Sequence, residues 1–218
     1  METPQMRDYK KVLVATPCRD AKFHATYTNG LLQSTGLYGG WLPMAGQSDI
    51  YIARNTLANQ FWQQAQFDTI VWIDSDIGFT RDNLKQLLDS TEPVVSGLYT
   101  DKCQPPRPFC RSEEGAPLPD DEIPPTGMIE TSFLPGGFLK IERSVYQAII
   151  DQKLAPEYGG INGLPLFWQF YNGRIFKSNL LSEDYSFSYM MREAGFQCWI
   201  DCGIRLNHDG RTYDQPVA

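Results

Sequence analysis

The stretch Thr69-Ile70-Val71-Trp72-Ile73, followed at once by Asp74-Ser75-Asp76 and then Ile77-Gly78-Phe79, orders the reading of the whole chain. A short run of β-branched and aromatic residues bounded by polar ones reads as a buried strand. Residues two apart on an extended backbone point the same way. If extension persists through the triplet, Asp74 and Asp76 project together from the strand's carboxyl end. Two carboxylates held that close call for a cation, and oxygen donors without a thiolate suit a hard one such as Mg2+ or Mn2+. The competing reading is a polar turn after a buried strand. Open α/β sheets place their ligands at the carboxyl ends of strands, which favours the metal.

Upstream, Lys11 to Thr16 (KVLVAT) reads as a first buried strand running into a loop at Pro17, Cys18, Arg19 and Asp20. The loop carries neither G-x-G-x-x-G nor G-x-x-x-x-G-K-[ST], so neither dinucleotide nor P-loop binding is indicated. Phe23 to Thr35 is weakly helical and stops at Gly36, and a short strand fits Trp41 to Met44. Ser48 is placed to cap a helix from Asp49 to Gln66 whose stripe is Ile50, Ala53, Leu57, Phe61 and Ala65. Arg54 and Asn55 fall off that stripe. They read either as a solvated face or as a guanidinium and an amide reaching a nucleotide.

Downstream, Thr80 caps a helix with Leu84, Leu87 and Leu88 inward, and Pro93 to Tyr99 is a further buried strand. Strand, helix, strand, helix, strand implies a largely parallel sheet with right-handed crossovers. Residues 101–126 interrupt the alternation with seven prolines and several acidic residues, and read as a flexible loop, either a flap or an insertion. Met128 to Leu134 and Phe138 to Ile141 read as strands around Pro135-Gly136-Gly137, where the glycines permit close backbone approach or a bulge. Arg143 to Gln152 reads as a helix, and the segment from Pro156 to Phe176 is rich in glycine and aromatic residues, suited to core packing or to a ring-stacking acceptor surface.

A second acidic cluster opens the last helix, Ser182 to Ala194, which Gly195 ends. Phe187, Met190, Met191 and Ala194 define its buried face. At about 100° per residue, Glu183 lies within about 30° of that face and Asp184 within about 75°. An inward carboxylate here is a candidate general base toward a hydroxyl. Gln197 to Asp201 follows as a strand. Of two histidines, His24 reads as helix surface, while His208 sits at a strand end where a neutral imidazole adds to a carboxylate metal site.

Composition limits the alternatives. The 218 residues, 42% hydrophobic and 21% charged, fit one large soluble domain over 1–218. The start METPQMRDYKK has no apolar signal region and no run approaches a membrane span, so a cytoplasmic location is expected. The five cysteines read as reduced thiols, and Cys198 with Cys202 lacks the second pair a zinc knuckle needs. A formal net charge of −7 argues against a broad nucleic-acid footprint.

Taken in order, VLVATPCRD, SDIYIARNTLA, VWIDSDIGF, PGGFLKIERSVY, SEDYSFSYMMREAGF and His208 resemble the GT-A glycosyltransferases, the nucleotide-sugar-dependent family with a D-x-D motif. The resemblance implies an α/β, Rossmann-like single domain with a central, mostly parallel sheet flanked by helices. It implies a transferase moving a sugar from a nucleotide-diphosphate sugar to an acceptor hydroxyl with Mn2+ or Mg2+. Position by position, Asp74 would meet the ribose or the metal, Asp76 would ligate the metal and His208 would be a further ligand. Thr16, Pro17, Arg19, Arg54 and Asn55 would line the nucleotide pocket, and Gly136 and Gly137 would approach the donor sugar. Asp184, with Glu183 beside it, matches the position where inverting members keep a base.

Three rivals remain at this point. Haloacid-dehalogenase phosphatases carry Asp-x-Asp at a strand end, but on the first strand and followed by Thr or Val, unlike Ile77-Gly78 here. A metal-dependent nucleotidyltransferase and a non-catalytic nucleotide-sugar or carbohydrate-binding module also fit the motif. Acceptors compatible with the chain are a hydroxyl on a glycan, a small molecule, a protein or a modified DNA base.

Overall fold

The computed structural model describes residues 7–102, 107–110, 112, 116–159, 166–208 and 211–212. In chain order the elements are β1 (Val12–Cys18), α1 (Ala25–Gln33), β2 (Gly40–Ala45), α2 (Ile50–Gln63), β3 (Thr69–Ile73), β4 (Ile77–Gly78) and α3 (Arg81–Asp89). Then come β5 (Val94–Leu98), β6 (Met128–Glu130), β7 (Phe138–Glu142), α4 (Arg143–Asp151), β8 (Glu157–Gly159), β9 (Leu166–Trp168) and β10 (Arg174–Phe176). The chain closes with β11 (Asn179–Leu181), α5 (Glu183–Glu193), β12 (Trp199–Arg205), β13 (Asn207–His208) and β14 (Arg211–Thr212).

The central sheet has seven strands in the order β2-β1-β3-β7-β5-β12-β6. β7 and β6 run against their neighbours and the remaining strands run together, so the sheet is mostly parallel. Strands buried on both faces need no polar alternation. β3 shows why: Ile70 and Trp72 enter one core while Val71 and Ile73 enter the other. β1 divides likewise, Leu13 and Ala15 against Val12 and Val14. Leu57 and Phe61 of α2, Tyr146 of α4 and Phe187 of α5 cover the first face, and Tyr27 of α1 with Leu84 and Leu88 of α3 cover the second. The architecture is the helix-flanked, Rossmann-like α/β sheet that the strand and helix alternation implies.

Several local expectations are corrected. Asp49, not Ser48, caps α2, its carboxylate accepting from the backbone N–H groups of Tyr51 and Ile52. The helix stops at Gln63, where the Arg143 guanidinium donates to the carbonyls of Phe61, Trp62, Gln64 and Phe67 and so satisfies its open end. Ala65 therefore lies beyond the helix and is exposed. The strand expected to reach Leu134 ends at Glu130.

Several described residues of 101–126 make contacts with the rest of the fold. Thr100 bridges Pro108, Phe109 N–H donates to Tyr99 O, and Cys110 and Ile123 are fully buried in the core. Cys103 and the Glu113-Glu114 pair lie outside the described residues. Among the described residues, no helix is long and apolar enough to cross a membrane.

Candidate functional site

The triplet does not continue β3 as extended chain. Ile77 N–H donates to Asp74 O, closing a turn over Ser75 and Asp76. The turn frees Ile77 and Gly78 to form β4, which pairs antiparallel with β13 and sets His208 opposite Ile77. A residue 132 positions downstream is thereby delivered to the motif, and His208 Nε2 lies 3.6 Å from Asp76 Oδ2. His208 Nδ1 is 2.6 Å from Thr100 O, and since a carbonyl only accepts, Nδ1 carries the hydrogen. In the neutral ring, Nε2 then presents a lone pair to a carboxylate oxygen. Two acceptors facing each other need a proton or a cation between them.

Asp74 is turned the other way. Arg54 Nη2 donates to both its oxygens, at 3.0 and 3.1 Å. The same guanidinium donates through Nε to Glu183 Oε1 and through Nη1 to Gly136 O, each at 3.3 Å. It also lies over the Trp72 ring, 5.4 Å from its centroid. With only 3% of its side chain exposed, Arg54 joins α2, the end of β3, the turn before β7 and the start of α5. A planar fork with several donors can hold partners in separate directions, which a lysine cannot.

Asn55 shares the burial but serves the frame. Its amide donates to Tyr171 O at 2.5 Å and accepts from Tyr171 N–H at 2.9 Å. Asn59, one turn on, treats Trp168 the same way at 2.9 Å in each direction. Arg54 and Asn55 are thus interior residues, not a solvated face. The stripe expected for α2 was too narrow because residues 168–171 pack on its second side through these two amides. The i, i+4 spacing of Asn55 and Asn59 is a signal that reading the sequence passed over.

Glu183 and Asp184 face inward as the helical wheel implies. Asp184 Oδ2 accepts from Gly136 N–H at 3.3 Å, and Oδ1 accepts from Tyr185 N–H at 2.9 Å and from the Ser182 hydroxyl. Burial and the adjacent Glu183 carboxylate raise the Asp184 pKa above the ordinary carboxylate range. Burial raises Asp74 to about 6, with Arg54 opposing and Asp76, Glu183 and Asp184 reinforcing. Burial also opposes ionisation of Asp76, but the neighbouring His208 and the Lys102 ammonium outweigh it and hold Asp76 well below the usual range. Asp74, Asp76, Glu183 and Asp184 are four clustered carboxylates, and the guanidinium and ammonium groups paired with them among the described residues are Arg54 and Lys102.

The two glycines are packed closely against neighbouring side chains. A Cβ on Gly136 would sit 2.8 Å from the Arg54 guanidinium carbon, and one on Gly137 would sit 2.5 Å from the Tyr99 hydroxyl. That hydroxyl accepts the Gly137 N–H at 2.7 Å, and Gly137 O accepts the Asp74 N–H at 3.0 Å. Gly137→Ala should destabilise the fold by about 1–3 kcal/mol through overpacking against a buried ring. Urea unfolding would check this, and a change below about 0.5 kcal/mol would contradict it.

The β1 residues form another wall. Thr16 Oγ1 lies 2.6 Å from the Tyr27 hydroxyl, and Trp41 Nε1 donates to both, at 3.2 and 3.0 Å. Phe23 stacks on Tyr27 with centroids 5.5 Å apart. Pro17 is buried within β1, whereas Arg19 is exposed on the loop beyond it. His24 is the exposed N-cap of α1 rather than a residue within that helix. A cleft of about 880 Å³ opens at the opposite end of the sheet, lined by Arg7, Thr69, Asp89, Glu142 and Arg143. Its Arg7–Glu142 and Lys85–Asp89 pairs already neutralise one another.

Among the described residues no three His, Cys, Asp or Glu side chains already converge as a metal cage. The structure brings Asp76 and His208 together and holds Asp74 against Arg54. Their donor set, carboxylate oxygens and an imidazole lone pair, fits Mn2+ or Mg2+. Sequence reading missed Tyr99, the Thr100 carbonyl and Lys102, none of which carries a motif.

No family model matches the chain, and no curated protein does. Among solved structures, the chain is similar to the crystal structure of A197 from STIV, with a TM-score of 0.59 and 12% identity over 95% of each chain. At that identity the likeness shows a shared fold, which extends over nearly the whole of both chains.

Proposed function

We infer that this chain is a metal-dependent glycosyltransferase that moves a sugar from a nucleotide-diphosphate sugar to an acceptor hydroxyl. The observation that carries the reading is the meeting of two acidic clusters, Asp74 with Asp76 and Glu183 with Asp184, across one buried arginine. The first cluster, with His208, supplies ligands for a cation and a place for the donor. The second supplies a carboxylate with raised basicity beside a backbone N–H.

Asp76 and His208 would hold Mn2+ or Mg2+, which neutralises charge on the donor's diphosphate when bound. Asp74, oriented by Arg54, faces the nucleotide ribose, with Thr16, Pro17 and Arg19 at the β1 side. Arg54 and Asn55 act from behind the pocket, holding its wall in register. Asp184 accepts the proton of the acceptor hydroxyl as that oxygen bonds to the anomeric carbon. The bond from that carbon to the diphosphate oxygen breaks, and the leaving nucleoside diphosphate keeps the electron pair.

Incubating the protein with Mn2+ and a panel of nucleotide sugars should release a nucleoside diphosphate, with or without a sugar acceptor. Pyrophosphate release from a nucleoside triphosphate in its place would assign the site to a nucleotidyltransferase.

A further inference from the structure

Asp76 Oδ2 is approached from two directions, by His208 Nε2 at 3.6 Å and by the Lys102 ammonium, which donates to it at 2.5 Å. Lys102 belongs to the same short segment as Thr100, whose carbonyl fixes the His208 ring through Nδ1. Residues 100–102 therefore both aim the imidazole at Asp76 and place a positive charge on the carboxylate it faces. Thr100 is buried and tied by its bridge to Pro108, whereas the Lys102 side chain is 49% exposed. The Thr100 contact is buried, whereas the Lys102 contact reaches Asp76 from the solvent side on a flexible stem.

We propose that Lys102 is an internal counter-ion that occupies the cation seat on Asp76 and exchanges with the divalent metal. The proposal rests on the metal site inferred above and adds the residue that competes for it. A dication and an ammonium cannot both lie against one carboxylate oxygen without repelling. Metal entry then moves Lys102 off Asp76, while His208 stays aimed by Thr100. In the metal-free protein the ammonium holds Asp76 in place, so the seat keeps its shape between turnovers. Released toward the open side, Lys102 is a point charge suited to a phosphate oxygen of the donor.

Mn2+ titration followed by electron paramagnetic resonance tests the exchange without any turnover. Lys102→Met should bind Mn2+ roughly fivefold more tightly than wild type, since a half-exposed pair is worth at most about that factor. Lys102→Arg should keep the wild-type affinity within about twofold, because the competing charge is retained. Equal affinity in wild type and Lys102→Met overturns the exchange and leaves the metal site standing. No Mn2+ binding by any of the three removes the metal site and the exchange with it. Circular dichroism on each variant confirms that the fold is intact.

Discussion

Arg54→Ala should destabilise the fold by about 3–5 kcal/mol, the largest loss expected of any single substitution at the site. The size follows from what the guanidinium leaves behind. Glu183 is 11% exposed and Asp74 29% exposed at their side chains, and both would lose the one cation they share. Removing one member of a buried charge group costs far more than the group contributes over an apolar replacement. Gly136 O would lose its donor as well. Arg54→Lys should recover part of the loss, because the charge returns but the three-way fork does not. Denaturant unfolding of both variants checks the ranking. A loss below about 1 kcal/mol for Arg54→Ala would show that the acidic clusters do not depend on it.

Asp184→Asn should lower transfer by about 10²–10⁴-fold while leaving donor binding within about twofold of wild type. The amide is nearly isosteric and its oxygen still accepts from Tyr185 N–H and the Ser182 hydroxyl, while the long Gly136 N–H contact is lost, so the change removes basicity more than structure. The pH profile gives a second readout. Burial and Glu183 raise the Asp184 pKa, and the base works only when deprotonated. As pH falls, activity should therefore be lost at a higher pH than the roughly 4 of an ordinary carboxylate. Normal turnover by Asp184→Asn would remove the base assignment. A large fall in donor affinity would place Asp184 on the donor side instead.

The fold was more legible in the sequence than the site was. Continuous apolar runs at β1, β3 and β5 give away a sheet covered on both faces, because neither face must meet water. The inward turn of Glu183 and Asp184 was legible too, since helical periodicity sets a direction that packing of Phe187 and Met190 then fixes. Arg54 was not. A polar residue off an apolar stripe reads as surface, and only the arrival of β7 and α5 from distant sequence encloses it. The bend at Asp74-Ser75-Asp76 was one of two readings left open by the sequence, for a related reason. Turn propensity and strand continuation are close in energy locally, and the pairing of β4 with β13 decides between them. Lys102 carries no signal at all, because the Asp76 carboxylate it meets lies on a distant part of the chain.

The fold shared with A197 from STIV supports the α/β frame alone, and the chemistry rests on this chain's own residues. Gly136 and Gly137 lie where Arg54 and Tyr99 leave no room for a Cβ.

Nucleoside diphosphate release from nucleotide sugars in the presence of Mn2+, compared between wild type and Asp76→Asn, tests the central claim most directly. Asp76 contributes a carboxylate to the cation seat, and its partial exposure lets the amide fit without collapse of the fold. Release that requires Mn2+, is abolished by a chelator and falls at least about 100-fold in Asp76→Asn is the predicted result. Release of equal rate from both proteins, or from wild type with the chelator present, would contradict it.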